Sequence, residues 1–220
     1  MSGIQAVISD FGGVLTSPLQ EAFLAVQDGL DIPLEAYGTA MHASQQRDGE
    51  NPLFALERGE LSEGEFLARL ERGLAETLGR DVSLHGFGER LMAALHPNDE
   101  LFAYYGALRE QGLRLALLTN NVREWEPLWR PKLPIDDVFE TVVDSAFVGM
   151  RKPEPEIYAL TLERLGLPAQ ACVFVDDLEI NVEAARELGM HGVVHRTTAQ
   201  TVAELDALLP QFSQPSRSQQ

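Results

Sequence analysis

The chain reads as an α/β protein, a doubly wound parallel sheet with an all-helical segment inserted near its start. Three observations predict this. Short apolar runs of strand length, several rich in β-branched residues, recur at Ala6-Val-Ile8, Leu113 to Thr119, Thr141-Val-Val143, Cys172 to Val175 and Gly192 to His195. From Pro97 onward these runs alternate with helical segments, the rhythm that produces parallel strands joined by right-handed crossovers. Between residues 19 and 95 the apolar residues recur only at helical spacing. Residues 1–16 and 96–212 therefore form the core, 17–95 the insert, and the polar stretch 213–220 is expected to be disordered.

In order along the chain, Ala6-Val-Ile8 is a strand that ends at Asp10, and Gly12-Gly13 permits a tight turn and a close backbone approach. Ser17-Pro18 reads as an N-cap followed by the first helical position. Leu19, Ala22, Phe23, Val26 and Leu30 mark a first helix, and a weaker one spans Leu34 to Gln46. Asp48 to Pro52 is turn chemistry, and Leu53 to Arg58 is a short apolar piece before Gly59. Ser62 and Glu65 form a capping box for a helix that Gly79 stops, and another helix runs from Phe87 to Leu95. Beyond Pro97, helices are expected at Glu100 to Gln111, from Arg123 onward, and at Glu156 to Leu165, Asn181 to Leu188 and Val202 to Leu209. Trp125 and Trp129 share one face of the Arg123 helix and are assigned to core or interface.

The charge balance bounds the partners. Of 220 residues, 34 are acidic and 17 basic, a net charge of −17 that argues against nucleic acid or an anionic membrane surface. An anionic substrate then needs a local cation. Lys132 and Lys152 are the only lysines. Cys172 is the single cysteine and sits in an apolar strand, so it is read as a buried structural thiol, with no disulfide framework or cysteine zinc site. No apolar run reaches membrane-spanning length and no signal-peptide pattern opens the chain, so a cytoplasmic location is expected.

Four strand ends carry polar residues of a coordinated kind: Asp10, Thr119-Asn120, Arg151-Lys152-Pro153-Glu154-Pro155, and Asp176-Asp177. Singly, each has an ordinary explanation as a turn former, a helix cap, an exposed turn lysine or a solvated pair. In a doubly wound sheet, however, the carboxyl ends of the strands converge on one crevice. There these residues supply a nucleophilic carboxylate, a hydroxyl with amide donors, one cation, and an acidic pair able to hold a hard metal.

The ordered set DFGGVLT, LLTN, RKPEPEIY and VFVDDLEIN resembles the haloacid dehalogenase-like hydrolases, and the flanking patterns resemble the branch with a helical cap. The resemblance covers nearly the whole chain. It implies a Rossmann-like core, with the insert as a cap, and a Mg²⁺-dependent phosphatase of small phosphorylated metabolites. By that resemblance Asp10 takes the phosphoryl group, while Thr119 and the Asn120 amide hold phosphate oxygens. Lys152 offsets charge, and Gly12 and Gly13 border the substrate. Mg²⁺ would be held by Asp10, the Gly12 carbonyl and Asp177, with Asp176 binding directly or through water.

One position departs from the family pattern. Most phosphatases of this kind carry a second aspartate two residues after the nucleophile, to protonate the leaving oxygen; here it is Gly12. General acid–base help is typically worth ~10²–10⁴-fold. Four readings follow: a substrate with a good leaving group, a substitute acid from the cap or water, a different chemistry, or a protein that binds phosphate without turnover. The Schiff-base route of related phosphonate hydrolases is excluded, because no lysine lies between residues 16 and 95. Asp176-Asp177 argues against halocarboxylate dehalogenation, whose enzymes carry neutral residues there. Within the cap, Tyr37, His42, Arg47, Glu57 and Arg58 are the candidates for substrate contact, with Arg47 and Arg58 preferred as cations for a phosphate. His191 and His195 are assigned structural roles.

Overall fold

The computed structural model describes residues 3–28 and 30–212; the tail expected to be disordered, 213–220, lies outside the described residues. A first strand, β1 (Ala6–Ser9), is followed by five helices: α1 (Leu19–Asp28), α2 (Leu34–Asp48), α3 (Pro52–Glu57), α4 (Glu63–Leu78) and α5 (Phe87–Ala94). Next come α6 (Asp99–Glu110), β2 (Arg114–Thr119), the short α7 (Glu126–Trp129) and α8 (Ile135–Val138), β3 (Thr141–Asp144), and α9 (Ser145–Val148). The chain continues with α10 (Pro155–Leu165), β4 (Cys172–Asp176), α11 (Glu179–Glu187), β5 (His191–Val194) and α12 (Thr198–Leu208).

The five strands are all parallel, in the order β3-β2-β1-β4-β5. Alternate residues serve opposite faces, as the pleat requires. Ile8, Leu118 and Phe174 pack with Ile157 and Tyr158 of α10 and Val182 of α11. Val7, Leu117, Val173 and Val175 belong to the other layer, with Leu101 and Tyr105 of α6 and Leu205 of α12. Burial on both faces is why the central strands read as unbroken apolar runs. The order reverses between β1 and β4, which places Asp10 and Asp176 side by side at the switch point.

The insert has no strand among the described residues and no core of its own. Leu56, Phe66, Leu70, Phe87 and Leu91 continue the cluster that holds Phe11 and Leu15. Helices α2 and α4 approach so closely that a Cβ on Gly73 would stand 2.9 Å from that of Ala40. The two chain passages between core and insert are stitched together by an antiparallel Thr16–Pro97 bridge and by Ser17 N–H donating to His96 O at 2.8 Å.

Several local expectations change. The Ser17 hydroxyl does not cap α1; it accepts from His96 N–H across that bridge. Leu53 to Glu57 belongs to helix α3, with Arg58 just past its end, because Asn51 Oδ1 accepts from Leu53 N–H and Pro52 occupies the first turn. The helix expected from Arg123 is broken into a 3₁₀ turn at 123–125, α7, and a second turn at 130–132. Pro127 and Pro131 explain the breaks, since neither has an N–H to continue a helix. Strand β3 runs on through Asp144, and β5 starts at His191. The Ser62–Glu65 capping box and the left-handed Gly79 stop form as read. Cys172 is fully buried, and His195 is buried with Nδ1 at 2.8 Å from Thr201 Oγ1.

Candidate active site

The site starts from one buried cation. Lys152 is 1% exposed, and its Nζ lies 2.7 Å from both Asp10 Oδ1 and Asp176 Oδ2. Burial pushes the Lys152 ammonium down, but Asp10 and Asp176 more than reverse this and hold its pKa above the ordinary value. Its loop is fixed from the end of β2: Asn120 Oδ1 accepts from Lys152 N–H at 2.8 Å, and Asn120 Nδ2 donates to Lys152 O at 3.0 Å. The Asn120 side chain is therefore a clamp on the lysine backbone rather than a free donor, and it does not cap the Arg123 segment.

Asp10 leaves β1 with its N–H donating to Val175 O at 2.8 Å, and Oδ1 also accepts from Phe11 N–H at 2.7 Å. Among the described residues no hydrogen bond reaches Oδ2. Burial raises the Asp10 pKa; Lys152 opposes this, and Asp176 and Asp177 add to it. Asp176 is fully buried and held by three donors, accepting from Lys152, from Leu178 N–H at 2.8 Å and from Asn181 Nδ2 at 3.0 Å. Asn181 is anchored in turn by Tyr158, whose hydroxyl donates to Asn181 O at 2.9 Å. Asn181 was overlooked in the sequence, although its place five residues after Asp176 puts it on the first turn of α11, facing back to the strand end.

Asp177 is less enclosed. Burial and Asp176 raise its pKa, and Arg196 holds its carbonyl at 2.9 Å. Its carboxylate lies against Gly13, where φ is +79° and any Cβ would collide with Oδ2, so both backbone and space require glycine. Oxygens of Asp10, Asp176 and Asp177 lie within 4.8 Å of one another. Three converging carboxylates set against one lysine form an all-oxygen, net-negative donor set, which fits a hard divalent cation.

Beside this cluster opens a cavity of ≈ 510 Å³, whose lining includes Gly12, Thr119 and Asn120 from the strand ends and Glu57 and other residues from the inserted helices. The Thr119 hydroxyl makes only a long 3.4 Å bond, to Asn120 O. Glu57, at the end of α3, accepts from Arg151 Nε at 2.6 Å, and Arg151 stacks on Phe54 with its guanidinium 4.0 Å from the ring centre. Burial raises the Glu57 pKa against the pull of Arg151.

Tyr37 and Glu57 line the cavity, but His42, Arg47 and Arg58 do not. Arg47 pairs with Glu76 on the outside of the cap, and Arg58 is occupied by Glu50, Glu60 and Glu154. In so acidic a chain these arginines have carboxylates nearer than any substrate. Trp125 corrects the other way: its Nε1 donates to Glu63 at 2.8 Å while it lines the cavity. Trp129 is fully buried against Phe11, as expected.

Comparison with known proteins gives consistent matches. The family model described as haloacid dehalogenase-like hydrolase matches residues 4–189. Acyl-CoA dehydrogenase family member 10 of Mus musculus is 30% identical over 210 residues, 93% of this chain and 19% of that protein. Glyceraldehyde 3-phosphate phosphatase of Pyrococcus abyssi is 40% identical over 89 residues, 39% of this chain and 37% of that protein. The chain thus spans well under half the length of these relatives. A HAD family enzyme from Bacteroides thetaiotaomicron, solved in complex with magnesium and inorganic phosphate, superposes with a TM-score of 0.63 at 25% identity, covering 88% of this chain and 95% of that one.

Proposed function

The chain belongs to the haloacid dehalogenase-like hydrolases, and we propose that within them it is a phosphatase of small phosphorylated metabolites with Asp10 as nucleophile. The observation that carries this reading is the bridge from Lys152 to Asp10 and Asp176 at the switch point of the sheet. It fixes a carboxylate whose second oxygen accepts no hydrogen bond, beside a cavity floored by the Thr119 hydroxyl. Oδ2 of Asp10 attacks phosphorus as the ester P–O bond breaks, and the departing alkoxide takes a proton from water. A second water then attacks phosphorus, releasing inorganic phosphate, giving its proton to solvent and restoring the carboxylate. Throughout, Lys152 offsets the charge that Asp10 and the phosphoryl group bring together. The Thr119 hydroxyl donates to a phosphoryl oxygen. Asp10, Asp176, Asp177 and the Gly12 carbonyl are the groups that would hold Mg²⁺, which when bound neutralises phosphoryl charge.

One observation favours a second reading, phosphate binding without turnover. A Cβ on Gly12 would stand 3.0 Å from Leu19 Cδ1, so an apolar side chain covers the place where the family's acid–base carboxylate would stand. Phosphate release from a panel of esters decides between them. The phosphatase reading expects turnover that a chelator removes and Mg²⁺ restores, and that falls to the uncatalysed background in Asp10→Asn. Equal turnover in the two proteins would overturn it, and calorimetric phosphate binding with no turnover in either would establish the second reading.

A further inference from the structure

The cavity is unlike the rest of this highly charged molecule. Among the described residues Glu57 is the only charged side chain lining it, and Glu57 is committed to Arg151. Most of the remaining wall is apolar: Phe23, Met41, Phe66, Leu70 and Leu91 are among its residues. Of the polar lining residues, Trp125 donates to Glu63 and Asn121 Oδ1 accepts from the Val122 N–H, while the buried Tyr37 hydroxyl has no hydrogen-bond partner among the described residues. Among the described residues no cationic side chain lines the space. Leu19 lies over Gly12, its Cδ1 3.0 Å from where a Cβ on Gly12 would stand. Apart from Tyr37, Glu57 and Trp125, the side chains that line the space above the core floor are hydrocarbon.

We propose that the substrate is a monophosphate ester of an apolar alcohol, whose hydrocarbon portion fills this cavity; the proposal rests on the phosphatase reading above. A sugar or nucleoside would set several hydroxyls against largely apolar walls, where the Tyr37 hydroxyl alone cannot partner them all, so most would bear the cost of desolvation. A second phosphate would find no cation, because Arg47 and Arg58 are paired elsewhere. The volume is within the usual range for a small-molecule site, and a hydrocarbon group gains from every methylene it removes from water. Leu34 and Gly38 also line the cavity and are exposed, so they form its mouth. A Cβ on Gly38 would meet nothing within 4 Å.

The test is a series of 4-alkylphenyl phosphates, from methyl to octyl, below their micelle concentrations. Their phenolate leaving groups are nearly equal in basicity, so the missing acid at Gly12 does not bias the series. The expected result is a kcat/KM that rises about threefold per methylene until the cavity is full. It should far exceed that of an ester with a hydroxylated chain of equal length. Gly38→Phe should cut the octyl-to-methyl ratio about tenfold or more by narrowing the mouth. A flat or falling series, with ready turnover of the hydroxylated ester, would overturn the proposal and leave the phosphatase reading intact. If no ester is hydrolysed, the phosphatase reading fails, and calorimetry decides the cavity separately. Tighter binding of the octyl than of the methyl ester would then support an apolar-tailed phosphate ligand, and equal binding would overturn it.

Discussion

The two sides of the cavity are built on opposite principles. On the core side, charge is buried and each group is held by named partners: Lys152 by two carboxylates and the Asn120 clamp, Asp176 by three donors. On the cap side, Phe66, Leu70 and Leu91 sit in one continuous apolar cluster with no directional bond among their side chains. Directional contacts tolerate little change, because removing one partner strands the other in low dielectric. Apolar contacts tolerate change of shape as long as volume is kept. If the proposed reading holds, the first side fixes the chemistry and the second selects the alcohol.

The largest expected effect tests this contrast directly with the same incoming residue. Lys152→Met leaves Asp10 and Asp176 buried without their cation, and should cost about 3–5 kcal/mol in the metal-free protein. Leu91→Met, on the opposite wall, should cost under about 1.5 kcal/mol. Urea unfolding of both variants checks this, and equal losses would erase the distinction between the two sides.

A smaller effect is expected where the sides meet. Gly12→Asp alone should gain little, because Leu19 occupies the neighbouring space. Combined with Leu19→Ala, the new carboxyl reaches the leaving oxygen and should raise turnover of simple alkyl phosphates by about tenfold or more. Aryl esters should change far less, since their oxygen departs without a proton. A graded series of esters on the single and double variants reads this out; identical gains across all leaving groups would mean that Gly12 is not a vacated acid.

The smallest effect extends the comparison to a buried carboxylate without a lysine. Asp144, at the end of β3, caps α9 through Oδ1, while Oδ2 is buried with no hydrogen-bond partner among the described residues. Burial, opposed by the Ala146 N–H, pushes its pKa up to about 6. The folded state then binds the proton more tightly than the unfolded state. The stability this gives is fully present below about pH 4 and lost as pH rises through about 6. Asp144→Asn keeps the cap acceptor and should gain on the order of 1–3 kcal/mol over the parent at pH 8, and little at pH 4. Unfolding midpoints at the two pH values check it, and a gain independent of pH would point to packing instead.

How much was legible in the sequence follows the same division. The strand runs, their alternation with helices and the polar residues at their ends are local patterns. In a parallel sheet the ends of adjacent strands must converge, so Asp10, Lys152, Asp176 and Asp177 could be grouped before any coordinates. The role of Asn120 was half legible: its place beside the site was, but not its use as a clamp, which depends on where the Lys152 loop returns.

The cap followed no such rule. Arg47 and Arg58 were attractive as phosphate ligands because of their charge, yet Glu76 in the first case, and Glu50, Glu60 and Glu154 in the second, lie closer to them. Trp125 and Trp129 share a spacing that suggested one face, but two prolines break the helix, and only one of the rings reaches the cavity. Leu19 is an unremarkable first residue of α1 until the fold sets it over Gly12. A strand end inherits its position from hydrogen-bonded register, which repeats along the chain, so the sequence alone determined the charged floor. The wall of the cavity depends on which helix faces meet after the whole insert has packed, and many apolar side chains satisfy that equally well, so only the tertiary structure decided it.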